Sequence, residues 1–162
     1  MRRTFVLLSG LVWLLLSQAN PALASGSGPQ TWTVVSRGGQ PTRVAASGVF
    51  SSAGTVVDML DLHLATGTFD NFAVQTFPDG SLNYHGQGTA QLVVDPRTCV
   101  GKGRFVGPFV ITGGTGAYAG ASGNGVAIGD LTFIYDHTPN GCSPAPIQTW
   151  GVAHANGSLT LP

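Results

Sequence analysis

Phe109 to Val126 reads F-V-I-T-G-G-T-G-A-Y-A-G-A-S-G-N-G-V, an apolar run that is interrupted by a cluster of glycines and then resumes. Short apolar runs bounded by glycines are typical of buried strands, and glycine readily takes the positive φ angles that a tight reversal needs. We therefore expect a compact corner between two neighbouring antiparallel strands, Phe109–Thr112 and Val126–Asp130. Tyr118 should fold back over the end of the sheet as an apolar plug.

The same stretch matches a dinucleotide-binding fingerprint, because Gly114, Gly116 and Ala119 fit G-x-G-x-x-A after a strand-like segment. That fingerprint needs a helix to follow, since the pyrophosphate binds to amides at the helix N-terminus. Further glycines stand where this helix would run, and each destabilises a helix by about 1 kcal/mol relative to alanine. We therefore favour the corner, whose key residues are Gly113, Gly114, Gly116, Tyr118, Gly120 and Gly123.

From Ile111 to Gly125 the order is a strand, the letters G-G-T-G, an aromatic residue, small residues and a second glycine-containing strand. This order resembles the corner of allene oxide cyclase-like and dirigent-like barrels, which include secreted bacterial members. The resemblance implies an eight-stranded antiparallel barrel that binds apolar or aromatic small molecules. In some members such barrels guide a cyclisation without a cofactor, but this chain has no glutamate, which weighs against the cyclase mechanism.

The first residues have the layout of a secretory signal peptide. Arg2 and Arg3 precede an apolar segment, Phe5–Leu16, and a small-residue cleavage sequence, Ala22-Leu23-Ala24. A retained membrane anchor is the alternative, but the segment is shorter than the roughly 20 apolar residues that span a bilayer. The paired arginines leave the general and the twin-arginine export routes open. We expect a protein that is secreted to the extracellular space or the cell envelope.

The exported chain has the composition of one all-β domain. We expect a signal peptide at residues 1–24, a flexible lead-in at residues 25–30 and a barrel domain at residues 31–162. Glutamate is absent and lysine, glutamine and arginine are scarce, whereas glycine, threonine, valine and phenylalanine abound. These preferences favour strands over helices, and a chain of this length forms one domain with one core.

The charge of the exported chain excludes two classes of partner. Two of the seven basic residues, Arg2 and Arg3, belong to the predicted signal peptide, whereas all seven acidic residues follow it. A slightly acidic protein is not expected to bind nucleic acid or, after removal of the signal, an anionic membrane. So few charges also leave little to hydrate the outer wall, which favours a homo-oligomer whose subunits cover part of it.

Cys99 and Cys142 are the only cysteines. Disulfides persist in oxidising compartments, so we expect one disulfide between them, worth about 4 kcal/mol at most in the chain-entropy model. A metal pair or a nucleophilic cysteine would need closely spaced ligands or an activating environment. The sequence shows neither, and we expect no metal site and no cofactor.

Eight strand candidates follow the lead-in, at residues 31–37, 43–51, 55–65, 69–77, 81–95, 99–112, 126–137 and 147–161. The fifth has the clearest alternation of apolar and polar residues. Its predicted buried face carries Leu82, Tyr84, Leu92 and Val94, and its predicted exposed face carries Asn83, His85 and Gln87. Eight strands without a helix predict an all-β fold, a single eight-stranded antiparallel β-barrel with no exposed sheet edge.

The interior of such a barrel is either filled by side chains or holds one small ligand. Strand alternation points three polar residues inward, and these are the candidate cavity residues Asp58, Tyr84 and Tyr135. Asp58 shares a face with leucines, so burial would raise its pKa and let it act as an acid or base. The alternative is that Asp58 lies at the barrel mouth, hydrated or capping a turn.

Three functions remain open. The favoured one is a secreted barrel that binds a small apolar or aromatic ligand in its lumen; the second is a structural or interaction barrel with a filled core that oligomerises. The third, a cofactor-free isomerase or cyclase, would need Asp58 or a tyrosine at the base of a cavity. Asp61 and His63 resemble a catalytic pair, but they share the outward direction of His85, which predicts a solvated pair.

Overall fold

The computed structural model describes residues 25–63 and 65–162; the predicted signal peptide at residues 1–24 lies outside the described residues. Eight antiparallel strands form one closed sheet, in which each strand pairs with its neighbours in the chain and the first pairs with the last. No described residue is helical, so none belongs to a helix that could cross a membrane. The predicted all-β barrel is confirmed.

The strands are β1 (Gly26–Ser36), β2 (Thr42–Gly48), β3 (Ser52–His63), β4 (Thr68–Phe77), β5 (Gly80–Asp95), β6 (Val100–Gly116), β7 (Ser122–Thr138) and β8 (Gly141–Leu161). Each corresponds to one predicted strand. We name the two ends of the barrel by their turns. The closed end carries the start of β1, the end of β8 and the turns β2–β3, β4–β5 and β6–β7, and the open end carries the other turns.

The core fills the closed half of the barrel. Its largest fully buried side chains include Trp32, Leu82, Tyr118 and Leu159. The ring of Tyr118 lies 4.9 Å from that of Phe50 between centroids, in the tilted geometry that aromatic pairs prefer. Alternation along each strand brings these residues to the inner face, and their size closes the barrel at this end.

The predicted corner is the turn between β6 and β7, and the predicted antiparallel pairing of its two strands is confirmed. The turn is shorter than predicted, because β6 continues to Gly116 and β7 begins at Ser122. Most of the corner glycines therefore lie in strands, where β6 keeps pairing with the start of β5. Positive φ is needed where the chain reverses, at Gly116 (+59°) and Gly120 (+79°).

Tyr118 is the plug that the sequence predicts. Its side chain is 0% exposed, and its ring also packs against Phe77, with centroids 5.7 Å apart. The neighbouring Ala117 donates its backbone N–H to the carbonyl oxygen of Asp79 at 2.8 Å. The corner is thus tied to the adjacent β4–β5 turn while the tyrosine seals the core.

The alternation of β5 is confirmed for Leu82 and Tyr84, which are buried, and for Gln87, which is exposed. Asn83 and His85 are only half exposed, since neighbours on the outer wall cover them, and Leu92 is only half buried. The prediction is wrong for Val94, which is 37% exposed. β4 pairs with β5 only as far as Thr89, so beyond it β5 has one neighbouring strand instead of two.

The start of β1 differs from the predicted flexible lead-in. Residues 26–30 pair with the end of β8, from Gly26 opposite Leu161 to Gln30 opposite Gly157. Gln30 is 1% exposed, donates its side-chain amide to the carbonyl oxygen of Phe50 and accepts the Phe50 N–H, each at 3.1 Å. Closing the ring requires this pairing, which a local sequence pattern does not reveal.

Cys99 and Cys142 form the predicted disulfide, with their Cα atoms 5.4 Å apart. A disulfide is consistent with an extracellular protein. Cys142 lies in β8, which begins at Gly141, whereas the predicted last strand begins only at residue 147. There β8 pairs only with β7, because β1 ends at Ser36 opposite Gly151, and an edge segment tolerates the missing N–H of proline. The bridge ties the β5–β6 turn to the β7–β8 hairpin at the open end.

Candidate functional site

A cavity of about 220 Å³ lies inside the barrel, between the closed-end core and the open end. Tyr84 and Phe109 form its floor, and both pack edge-on against Trp32, with centroids 5.7 and 5.6 Å from the indole ring. The space exists because several lining positions are small: Gly86, Gly107, Ala127, Gly151, Ala153 and Ala155. Interiors are otherwise close-packed, so the open half of this barrel is under-filled by its own side chains.

One side of the cavity, which we call the polar wall, consists of Asp58, Asn71, Gln75 and Tyr84. Asp58, Ala73 and Tyr84 face one another in register on β3, β4 and β5. Asn71 and Gln75 lie two residues to either side of Ala73, and residues two apart share a face of a strand. The four polar side chains therefore surround a single alanine.

The polar wall contains hydrogen-bonding atoms that the protein does not use. Oδ1 of Asn71, Oε1 of Gln75 and the hydroxyl of Tyr84 are buried without a hydrogen-bond partner among the described residues. Gln75 is 6% exposed and Tyr84 9%. Leaving a buried polar group unpaired costs about 1–3 kcal/mol, so such groups in a folded protein require an explanation, such as a function.

The rest of the cavity lining is mostly apolar, with hydroxyl groups from Ser36, Thr42 and Thr149. β1 and β6–β8 contribute Val34, Phe105, Phe109, Ala127, Ala153 and Ala155. None of the described lining residues is a lysine, an arginine or a histidine, and Asp58 is the one acidic residue among them. The cavity therefore offers a mostly apolar surface on one side and amide, hydroxyl and carboxyl groups on the other, with no positively charged residue among the described lining residues.

Asp58 stands at the mouth of the cavity. β2 starts at Thr42, which pairs with Val56, so the part of β3 beyond Val56 has no neighbour on that side. The residue is exposed at this rim, yet partial burial of its carboxyl group against the lining raises its pKa above the usual 3.8, while a backbone hydrogen bond lowers it. Asp58 thus both lines the cavity and lies at the mouth, so the two sequence-based alternatives are compatible.

The two tyrosines differ in position. Tyr84 lines the cavity, and burial raises the pKa of its hydroxyl well above 10, with Tyr118 adding a smaller effect. Tyr84 therefore stays protonated at physiological pH. Tyr135 does not line the cavity; it lies beyond Phe133 at the open end, where the β7–β8 register shifts. A bulge of this kind changes the direction of the Tyr135 side chain. The alternation of apolar and polar residues in the sequence does not reveal it.

Asp61, His63 and His85 lie on the outer wall, as predicted. His63 Nε2 is 3.7 Å from Asp61 Oδ2, and His85 Nε2 is 2.8 Å from Asp70 Oδ1. The outer pairs contribute nothing to the cavity lining. Within residues 25–63 and 65–162, no three histidine, cysteine or acidic side chains are grouped as metal ligands would be.

Asn71 and Gln75 are the cavity residues that the sequence reading missed. The signal was present, because β4 alternates as F-x-N-x-A-x-Q-x-F from Phe69 to Phe77. Two polar residues on a face bounded by phenylalanines predict buried amides, and buried polar groups are usually hydrogen-bonded. Only the structure reveals that the amide oxygens of Asn71 and Gln75 have no hydrogen-bond partner among the described residues.

No protein-family model matches this chain. Comparisons with curated proteins and with solved structures likewise found no match. The resemblance of the corner to allene oxide cyclase-like barrels therefore stays a prediction.

Proposed function

We propose that this protein is a secreted binding protein that holds one small, largely apolar or aromatic molecule in the lumen of its barrel. The observation that carries the proposal is the cavity, whose largely apolar lining includes the polar side chains of Asn71, Gln75 and Tyr84 on one side. Ligand sites combine these two properties, since apolar surface supplies affinity and a few polar groups fix orientation.

The volume of the cavity sets the size of the ligand. An engineered apolar cavity of about 150 Å³ binds benzene, whereas sites for drug-sized molecules measure about 300–1,000 Å³. At about 220 Å³, this cavity fits a single ring with one or two small substituents. A long acyl chain or a fused ring system would require the barrel to expand.

Gly86 offers a direct test of lumen binding. A Cβ atom at Gly86 would meet only ordinary neighbours, the Cβ atom of Phe109 and the carbonyl oxygen of Pro108, both at 3.6 Å. Gly86→Leu should therefore fill the cavity without disturbing the backbone. We expect calorimetric titration to show that the unchanged protein binds phenol or toluene with 1:1 stoichiometry and that Gly86→Leu binds neither.

Gln87→Leu is the matched control, because Gln87 is the next residue on β5 and is exposed. It should bind the same probes as the unchanged protein does. A ligand that binds only the folded state raises the melting temperature, so thermal melts provide an independent readout. If no single-ring probe binds the unchanged protein, or if Gly86→Leu binds as well as the control, the proposal is overturned. Ala127→Leu repeats the test from the opposite wall should Gly86→Leu not fold.

Self-association is a second candidate function, favoured by the outer wall. The outer apolar patch consists of Val57, Met59, Phe72, Val74 and Val110, which are 41–73% exposed. Val57 pairs with Val74 and Met59 with Phe72 in register, and the same row continues through His85 to Val110. Large contiguous apolar surfaces on soluble proteins mark interaction sites.

Charges of opposite sign border the outer apolar patch. Arg43 lies in the row toward the closed end, opposite Thr55. Asp61 and Asp70 face each other in the row toward the open end. A two-fold dimer buries the same patch on both subunits, and an axis that crosses the strands brings Arg43 of one copy toward the carboxylates of the other. We therefore propose a second copy of this chain as the partner.

A charge placed in the outer apolar patch should abolish the dimer. Val57 is 73% exposed at the centre of the patch, and Val126, on β7 outside it, is 53% exposed. We expect light scattering after size-exclusion chromatography to give a dimer mass for the unchanged protein and for Val126→Asp, and a monomer mass for Val57→Asp. A monomeric unchanged protein, or equal effects of the two substitutions, would contradict the proposal.

A further inference from the structure

We infer that the lumen ligand is a neutral molecule that carries a hydrogen-bond acceptor, such as a carbonyl oxygen, and that the side-chain amide of Asn71 or Gln75 donates to it. The inference rests on the proposed lumen binding and narrows the chemical class of the ligand. It follows from which end of each amide a ligand can touch and from the charges of the lining.

The two amides offer their nitrogens to the cavity. Asn71 and Gln75 both line it, but Oδ1 of Asn71 and Oε1 of Gln75 are fully buried, so a ligand cannot reach these oxygens. Their nitrogens, Nδ2 and Nε2, are not among the buried atoms without a partner, and neither has an acceptor among the described residues of the polar wall. An amide nitrogen donates two hydrogen bonds and accepts none. The ligand must therefore supply the acceptor.

The other polar groups of the lining do not favour a different ligand. The Tyr84 hydroxyl is fully buried and out of reach. Asp58 is exposed at the mouth, so water hydrates its carboxyl group with or without a ligand. The serine and threonine hydroxyls of the lining can donate or accept and fit either kind of molecule. The choice between a donor and an acceptor is thus made by the two amides.

The lining also selects against anions. Asp58 is the one charged group among the described lining residues, and no lysine, arginine or histidine is present there to neutralise a second negative charge. Burying an unpaired carboxylate is strongly unfavourable. A neutral carbonyl group supplies the acceptor without that cost.

The two amides lie at different depths of the cavity. Asn71 and Gln75 flank Ala73 on β4, with Gln75 toward the closed end and Asn71 toward the open end. Four residues along a strand span about 13 Å, so a ligand with one acceptor meets one amide at a time. Its ring then lies against the apolar residues of β6–β8. A single-ring ketone, aldehyde, ester or amide combines these properties.

Three planar single-ring probes of the same shape distinguish the possibilities. Acetophenone carries a carbonyl oxygen, α-methylstyrene has a CH2 group in place of that oxygen, and benzoate has a charged oxygen in place of the methyl group. A cavity without an accessible donor would prefer α-methylstyrene, because burying an unpaired carbonyl group is costly. By calorimetric titration we expect acetophenone to bind about tenfold more tightly than α-methylstyrene, as one satisfied buried hydrogen bond allows. Benzoate should bind at least about tenfold more weakly than acetophenone.

Gln75→Met and Asn71→Leu each replace one amide by an apolar side chain of similar size. One of the two substitutions should remove the preference for acetophenone, and the double variant should remove it while leaving α-methylstyrene binding unchanged or tighter. Gln87→Met makes the same chemical change on the exposed face of β5 and should alter neither affinity. The single variants decide the matter should the double variant not fold.

The outcomes separate this inference from the proposed function. If α-methylstyrene binds as tightly as acetophenone, or if toluene binds and acetophenone does not, lumen binding stands and the acceptor assignment is overturned. A preference for acetophenone that survives both substitutions also overturns it. Benzoate binding as tightly as acetophenone overturns the assignment of a neutral ligand. If neither these probes nor phenol and toluene bind the unchanged protein, the proposed function itself fails.

Discussion

Replacing Tyr118 by alanine is expected to lower the free energy of unfolding by about 3–5 kcal/mol, the range for a large aromatic side chain lost from a core. Tyr118 is fully buried and packs against Phe50 and Phe77 at the closed end. Its loss would leave a cavity between the β2–β3, β4–β5 and β6–β7 turns. Because hydrogen bonds hold these turns in place, they cannot move freely to fill it. For a domain whose total stability is of the order of 5–15 kcal/mol, this is a severe change.

Tyr118→Phe is the matched control. The Tyr118 hydroxyl is buried without a hydrogen-bond partner among the described residues, so its removal discards no protein hydrogen bond and should change stability by less than about 1 kcal/mol. Urea denaturation of the two variants and the unchanged protein, followed by circular dichroism, measures both effects. Equal destabilisation by the two substitutions would mean that the hydroxyl, and not the ring, seals the barrel.

The Tyr118 variants also test the separation between the core and the cavity. Tyr118 does not line the cavity, whose floor is formed by Tyr84 and Phe109. Under conditions where Tyr118→Ala is folded, we expect it to bind phenol with the affinity of the unchanged protein. A parallel loss of binding and stability would show that the closed-end core also shapes the lumen.

Removing the disulfide with the double substitution Cys99→Ala and Cys142→Ala is expected to cost about 4 kcal/mol, within the usual range of about 2–5 kcal/mol for a native bridge. The two cysteines are 43 residues apart in the sequence, and cross-linking a loop of that length removes much of the conformational freedom of the unfolded chain. The effect should therefore appear as a lower urea midpoint with the barrel still formed.

Reductant provides the internal control for the disulfide. The unchanged protein should lose the same stability in a reducing agent, whereas the double alanine variant should be insensitive to it. Cys99 is fully buried at the β5–β6 turn and accepts the backbone N–H of Tyr135 at 2.9 Å on its carbonyl oxygen. This bond remains in the variant, so we expect the hairpin to stay in place. A variant as stable as the oxidised protein would show that the bridge contributes nothing to folding.

Local patterns were sufficient for the fold class because strand alternation and turn chemistry are properties of neighbouring residues. Glycines between apolar runs predicted the β6–β7 corner, and the alternation in β5 predicted which way Leu82, Tyr84 and Gln87 point. Two cysteines in a chain with a predicted export signal predicted the bridge. The predictions were wrong where the extent of a strand depends on partners distant in sequence. Gly26 lies in β1 and not in a lead-in, Val94 lies beyond the part of β5 that pairs with β4, and Cys142 lies in the early part of β8.

The candidate site was predictable only in part. Alternation assigned Asp58 and Tyr84 to the inner face, and both line the cavity. It also assigned Tyr135, which a register shift between β7 and β8 removes from the cavity. Asn71 and Gln75 could have been found from the alternation in β4, but nothing in that pattern says whether a buried amide has a partner.

The sequence by itself therefore determined the number of strands, most of their faces and the covalent bridge, because these depend on residue spacing or on residue identity alone. Tertiary structure alone decided that a cavity remains in the open half of the lumen. That outcome depends on the small residues of β6–β8 lying opposite the polar residues of β3–β5 across a closed ring. Whether a volume is filled depends on all the strands that surround it, and no segment of the chain contains that information.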